Sequence, residues 1–366
     1  MARNKRQRIK HYKRSFYSIE QRFKKGVALA VLIIVVLILA WLAAPHVLDW
    51  ATHTWYTVVR DRDLSASSQT AEETPQETTE PTAAPTETAT PEPTPTPTPS
   101  GTEIRQGTWA SVDVSALEDA DAIEMVAQSL AQEGVTYALI ELKDTSGNIY
   151  YRSSLEAAAN SIADTVIDLE TVATTFREAG ITPVAWMAAF RDPIAPYTVR
   201  SMGIRYKSEY MWLDAASVSA GGKPWLNPYS EEAVQFIGDL IEEVHSFGFE
   251  QVVLGNVQFP SAVSSKQDFG TTGGATRSEQ LTKDIAAWQE RFADEVTLWY
   301  EYPLSTCQEA DNTTGTLPSE LGVANLMIRL SSGATDESTL DAVAQQMKEQ
   351  GVEYVVVHDS TGVSFR

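Results

Sequence analysis

Ionisable and amide side chains recur in this sequence at the ends of short runs rich in β-branched and aromatic residues. Asp113 follows one run; Glu141, Lys143 and Asp144 close the next, and Arg191 with Asp192 follows a third. Asn256 and Gln258, then Glu301, Arg329, and His358 with Asp359 stand at the ends of the later ones. Two carboxyls facing one bond can protonate a leaving oxygen and supply a nucleophile or activate water, which is the chemistry of glycoside hydrolysis. The candidate catalytic carboxylates are Glu141, Glu301 and Asp113. Flat rings at Trp186, Trp212, Trp225, Tyr229, Trp299 and Tyr300 lie among them, and rings beside acids suit a sugar, with its C–H faces and its hydroxyls. The candidate ligand contacts are Lys143, Asp144, Arg191, Asp192, Trp225, Asn227, Tyr229, Asn256, Gln258, Tyr300 and Arg329. Structural roles compete for several of these. Glu141 and Asp113 can be held by Lys143 or Arg329, Arg191 can pair with Asp192, and Trp186 inside a strand reads as core. Trp225, between Pro224 and the Asn227-Pro228 turn, is expected to be exposed. His358 with Asp359 reads as a polar strand end, because no nucleophile accompanies it in a fitting context.

Such residues need a scaffold that gathers strand ends. Strands are expected at 109–114, 137–142, 182–189, 251–259, 296–302, 324–330 and 353–358, with Pro260 stopping the fourth. Helices are expected at 120–133, 168–179, 231–247, 278–292 and 338–350. The third helix is the plainest: Ser230 is its N-cap, Glu231 and Glu232 fill the first turn, and Val234, Ile237, Ile241 and Val244 share one face. Gly134, Gly180, Gly248 and Gly351 close helices. Alternating strands and helices over a domain of this length predict an α/β fold, a (β/α)8-type TIM barrel, distorted or incomplete if only seven strands form. An eighth strand at 210–214, or an excursion there, remains open. In such barrels function sits at the carboxyl ends of the strands.

Three segments carry a family resemblance. ELKDTSGNIYYRS at 141–153, WMAAFRDPIAPY at 186–197 and WLNPYSEEAVQFIGDLIEEVHSFGFEQVVLGNVQFP at 225–260 resemble motifs of a bacterial glycoside-hydrolase family related to α-amylase-type barrels. The resemblance covers most of residues 109–330. It implies a barrel acting on saccharide, with the nucleophile on the family's Phe-Asp-Tyr-Ile-Arg-Phe-Pro strand. Here that strand reads LGNVQFP, so Gly255 stands at the family's Asp, Asn256 at its Tyr and Gln258 at its Arg. Glycine can neither attack nor stabilise positive charge, and an amide cannot supply an anion.

The first 25 residues hold ten Lys or Arg and one acid, Glu20, and form a basic cytoplasmic tail by the positive-inside rule. Residues 26–44, GVALAVLIIVVLILAWLAA, are uncharged and long enough to span a bilayer as an uncleaved anchor. A juxtamembrane segment at 45–64 leads to a Thr/Pro/Glu-rich disordered stalk at 65–103, and the barrel is expected at 104–366. The chain carries 28 basic and 49 acidic residues; without the tail, 18 and 48 remain, a net charge of −30. That field repels nucleic acid and other polyanions and favours neutral glycans or cationic partners. The single cysteine, Cys307, excludes an intrachain disulfide and zinc-finger or thioredoxin arrangements, and reads as a buried small hydrophobe. No GxSxG, HExxH or P-loop occurs, and the Gly-rich FGTTGGATR at 269–277 reads as a loop. No cofactor and no metal is expected.

The sequence therefore predicts a single-pass cell-membrane protein with an extracellular, glycoside-hydrolase-like barrel. It is expected to bind cell-envelope or extracellular polysaccharide or oligosaccharide with weak or no hydrolysis. An active glycosidase with relocated carboxylates, or an envelope scaffold, are the alternatives.

Overall fold

The computed structural model describes residues 103–262, 265–331, 335–359 and 362–366. The basic tail, the apolar segment 26–44, the juxtamembrane segment and the stalk up to residue 102 lie outside the described residues. Among the described residues no helix is long and apolar enough to cross a membrane.

Eight strands form one sheet in chain order: β1 (Thr108–Val112), β2 (Val135–Lys143), β3 (Thr182–Ala188), β4 (Gln251–Gly255), β5 (Thr297–Pro303), β6 (Asn325–Arg329), β7 (Tyr354–Asp359) and β8 (Gly362–Phe365). β1 to β7 pair in parallel, and β8 runs antiparallel to β7. β8 returns against β1, where the rings of Phe365 and Trp109 lie 6.3 Å apart, so the sheet is nearly closed and barrel-like. Five longer helices accompany it: α1 (Ala120–Gln132), α2 (Leu169–Glu178), α3 (Glu231–Ser246), α4 (Arg277–Arg291) and α5 (Glu337–Glu349).

The helices start where the sequence offers acceptors for free N–H groups. Asp119, Asp168 and Ser230 cap α1, α2 and α3, and Thr276 with Glu279 makes a capping box on α4. The apolar face of α3 then packs Ala233, Phe236, Ile237, Leu240, Ile241 and Val244 beneath the strands. Each large side chain so buried contributes roughly 1.5–3 kcal/mol. One helix position departs from this rule. Asp284 on α4 is 2% exposed; its Oδ1 accepts from Gln280 Nε2 at 2.8 Å while Oδ2 has no partner. Burial pushes its carboxyl up to about 8 against the smaller opposing effects of Gln280 and Lys283.

Two differences from the sequence reading have physical causes. The eighth strand is Gly362–Phe365; Tyr210–Met211 instead pairs with Arg205–Tyr206 in a two-stranded ribbon on the long β3-to-α3 excursion. The run 251–259 is apolar throughout most of its length, but its ladder stops at Gly255 because Asn256 adopts φ +57, left-handed backbone that no strand accommodates. Pro260 therefore does not end the strand.

Strand alternation separates two cores. The larger lies between sheet and helices. The smaller draws on all eight strands through Trp109, Tyr137, Leu139, Val184, Val253, Trp299, Met327, Val356 and Val363, and fills the barrel interior. Its aromatic floor stacks Trp109 on Tyr137 at 4.6 Å and sets Trp299 edge-on to Trp109 at 5.6 Å. The Tyr137 hydroxyl donates to Arg105 O at 2.9 Å and accepts from Arg105 N at 2.8 Å, so the incoming chain closes the amino end of the barrel. The polar strand-end side chains gather at the opposite, carboxyl end.

Candidate functional site at the barrel mouth

Two residues beyond the interior layer, each parallel strand from β2 to β7 presents its next inward side chain. Leu139 is followed by Glu141, Val184 by Trp186, Val253 by Gly255, Trp299 by Glu301, Met327 by Arg329 and Val356 by His358. These six positions form the floor of the mouth. Register joins them as neighbours: Glu141 pairs with Trp186, Gly255 with Glu301 and Arg329 with His358.

Glu301 is the hub. It is 4% exposed; its Oε2 accepts from Trp186 Nε1 at 3.2 Å and lies 3.5 Å from Arg329 Nε. His358 Nδ1 stands 2.8 Å from Oε1, a pairing in which Nδ1 carries the proton, since a carboxylate only accepts. The indole of Trp186 thus reaches from β3 across β4 to β5. It can do so because position 255 has no side chain: a Cβ there would meet Trp186 Cζ2 at 2.3 Å and Cε2 at 2.9 Å. The space a side chain at position 255 would need is filled by the Trp186 ring.

Glu141 stands across the mouth, open to solvent and in no ion pair among the described residues. Its carboxyl is held above the usual range, first because neighbouring atoms strip its hydration, then by the charges of Asp144, Glu301 and Asp113, with His358 opposing. Asp113 sits exposed at the rim, where hydrogen bonding from the Ser115 side chain and then from Ser115 N, the latter at 2.8 Å, holds its carboxyl below the usual range.

The other candidates are spread more widely. Lys143 and Asp192 are 1% and 0% exposed and pair at 3.0 Å, shut off from solvent; Lys143 Nζ also donates to Ala188 O at 2.7 Å, and Asp192 Oδ1 accepts from Ile194 N and Ala195 N. Asp192 pairs with Lys143, then, and Arg191 is exposed, 5.9 Å from the Trp225 ring. Asp144 accepts from Ser146 N, Asn148 N, Asn148 Nδ2 and the Tyr150 hydroxyl, building the turn after β2. Burial, with Asp144 and Glu141 close by, raises the Tyr150 hydroxyl to about 12. Trp225, expected to be exposed, is 6% exposed because its Nε1 donates to Asp214 Oδ2 at 2.9 Å under the excursion. Asn227 donates to Phe269 O and Tyr229 to Ala275 O, so both fasten the loop before α4. Tyr300 is fully buried, because one residue from Glu301 on a strand puts it on the outer face. Asn256 and Gln258 lie just past β4, the first 9% exposed and the second half-buried.

Sequence reasoning misses His358 and Trp186 as members of the site. Period-2 alternation from Val356 to His358 and from Val184 to Trp186 is the signal that places both beside Glu301. Among the described residues no three His, Cys, Asp or Glu side chains converge to hold a metal ion.

The sequence matches the family described as "Putative glycosyl hydrolase domain" over residues 111–299. Glu301, Arg329 and His358 therefore lie beyond the matched segment. No curated protein matches the sequence. Solved structures similar to it include a hypothetical protein from Ruminiclostridium thermocellum, with 17% identity over 52% of this chain and 95% of the other and a TM-score of 0.45. The GH20 exo-β-N-acetylglucosaminidase of Vibrio harveyi is 13% identical over 70% of this chain and 41% of its own, with a TM-score of 0.50. The α-galactosidase of Thermus thermophilus is 17% identical over 68% and 47%, with a TM-score of 0.41. This chain spans less than half the length of either named enzyme. At these identities the likeness is one of fold, and it rests on the Vibrio structure.

Proposed function

The chain belongs to the glycosyl hydrolase domain family that it matches, and from that membership we propose that its barrel mouth binds polysaccharide or oligosaccharide with little or no hydrolysis. One observation carries the reading: the Trp186 indole occupies the space a side chain at Gly255 would need. Any side chain there is sterically excluded, which fits the sequence resemblance that sets Gly255 at the family's Asp. The remaining inward acid on a neighbouring strand, Glu301, is nearly enclosed and committed to Trp186, Arg329 and His358. A saccharide above it meets an indole ring, the Arg329 guanidinium and the free Glu141 carboxylate. These groups recognise C–H faces and hydroxyls, while the pair of open carboxyls that hydrolysis needs is incomplete because Glu301 is enclosed. The apolar segment 26–44 and the stalk support a further part of the reading, that the barrel is displayed outside the cell membrane.

A second reading has its own observation. The raised carboxyl of Glu141 is suited to donate a proton to a leaving oxygen, and Glu301 would then be the partner carboxylate. Incubating the purified protein with a panel of envelope and plant polysaccharides separates the two. Retention on insoluble polymer without new reducing ends is the expected result. Release of reducing ends that disappears in Glu301→Gln would establish the second reading instead.

A further inference from the structure

The mouth has an uneven balance of charge. Four carboxylates face or rim it, from Asp113, Glu141, Asp144 and Glu301, and their mutual repulsion is felt at Glu141. Its two basic side chains, Arg329 and His358, are both directed at Glu301. Asp144 has four donors of its own. Glu141 is left as an exposed carboxylate in no ion pair among the described residues, with His358 acting on it only at longer range, and it is paired in register with Trp186 on the adjacent strand and so on the same face. A half-buried indole beside an unpaired carboxylate offers a ring for the C–H face of a sugar and an anion for a group on its edge.

We infer that the saccharide taken by this mouth is cationic, a glycan bearing free amino groups as in glucosamine units, whose ammonium pairs with Glu141 while the sugar ring lies on Trp186. The inference rests on the saccharide-binding reading and names its ligand class. A metal ion is a poorer match for the same charge, because the acids among the described residues are too dispersed for any three to converge on one. An N-acetylated or neutral sugar offers Glu141 neutral hydroxyl or amide donors in place of a charge-assisted one, and an acidic sugar would add a fifth negative charge. The whole-chain excess of 49 acidic over 28 basic residues adds a long-range field of the same sign.

The test compares three oligosaccharides of equal length against the full-length protein by calorimetry: a chitosan oligomer, its fully N-acetylated counterpart and a cello-oligomer. A charge-assisted contact predicts that the chitosan oligomer binds roughly tenfold or more tighter. That advantage should vanish in Glu141→Gln and persist in Glu349→Gln, an exposed acid at the end of α5. Equal affinity for all three would overturn the inference and leave the saccharide reading standing. A chitosan preference unchanged in Glu141→Gln would also overturn it, since attraction to the acidic surface at large would then account for the binding. Failure of all three to bind would overturn both.

Discussion

At the scale of single residues, the mouth turns on Gly255 and what its missing side chain admits. Placing an acid there by Gly255→Asp should not create a working site, because the new Cβ lands 2.3 Å from the Trp186 ring. The expected outcome is a loss of about 2–4 kcal/mol in urea denaturation, in the range of other overpacked sites. Gly255→Asp with Trp186→Ala should recover part of that loss, by vacating the space. Asp284 gives a second residue-scale test. Its folded carboxyl titrates at about 8, against 3.8 for an unperturbed aspartate. Between those values the unfolded chain releases the proton while the folded one keeps it, so stability falls as pH rises through the window and levels off above it. Asp284→Asn should therefore raise stability at pH 7, by roughly 2–4 kcal/mol, and have little effect near pH 3. Thermal melts of both proteins across that range would show it.

At the scale of elements, two of the three family-like segments are held together by one buried ion pair. Lys143 ends β2, Asp192 follows β3, and Gly147, at φ +85, lets the turn approach Asp192 so closely that a Cβ would meet its Oδ1 at 2.7 Å. Lys143→Met should strand the Asp192 charge and cost about 3–5 kcal/mol. The double variant Lys143→Met, Asp192→Asn should recover much of it, since the amide oxygen still accepts from Ile194 and Ala195; denaturant melts would decide. The sequence presents both residues as ligand contacts, because a strand-end position does not say whether a side chain points inward or outward. Tyr300 and Glu301 are adjacent letters, yet strand alternation sends one into the helix layer and the other into the mouth. The strands and helices themselves are legible, since apolar periodicity and capping residues act locally. The eighth strand is not, because Gly362–Phe365 is held by pairing to β7, a tertiary contact, and its four residues carry little periodicity of their own.

At the scale of the whole molecule, the described part is an aromatic-floored, nearly closed barrel with one open end, built on a chain with a strong acidic excess. The family match ends at residue 299, while the strands that supply Glu301, Arg329 and His358 extend beyond that point or lie wholly past it. The mouth thus combines a first half inside the family match, which supplies Glu141, Trp186 and Gly255, with a second half that encloses Glu301. Binding without cleavage is the expected consequence. Incubation of the protein with its retained oligosaccharide in ¹⁸O-labelled water, followed by mass spectrometry of the reducing ends, tests that directly. No label above the protein-free control is the expected result. Incorporation that rises with time and is abolished by Glu301→Gln would contradict it and identify a working glycosidase.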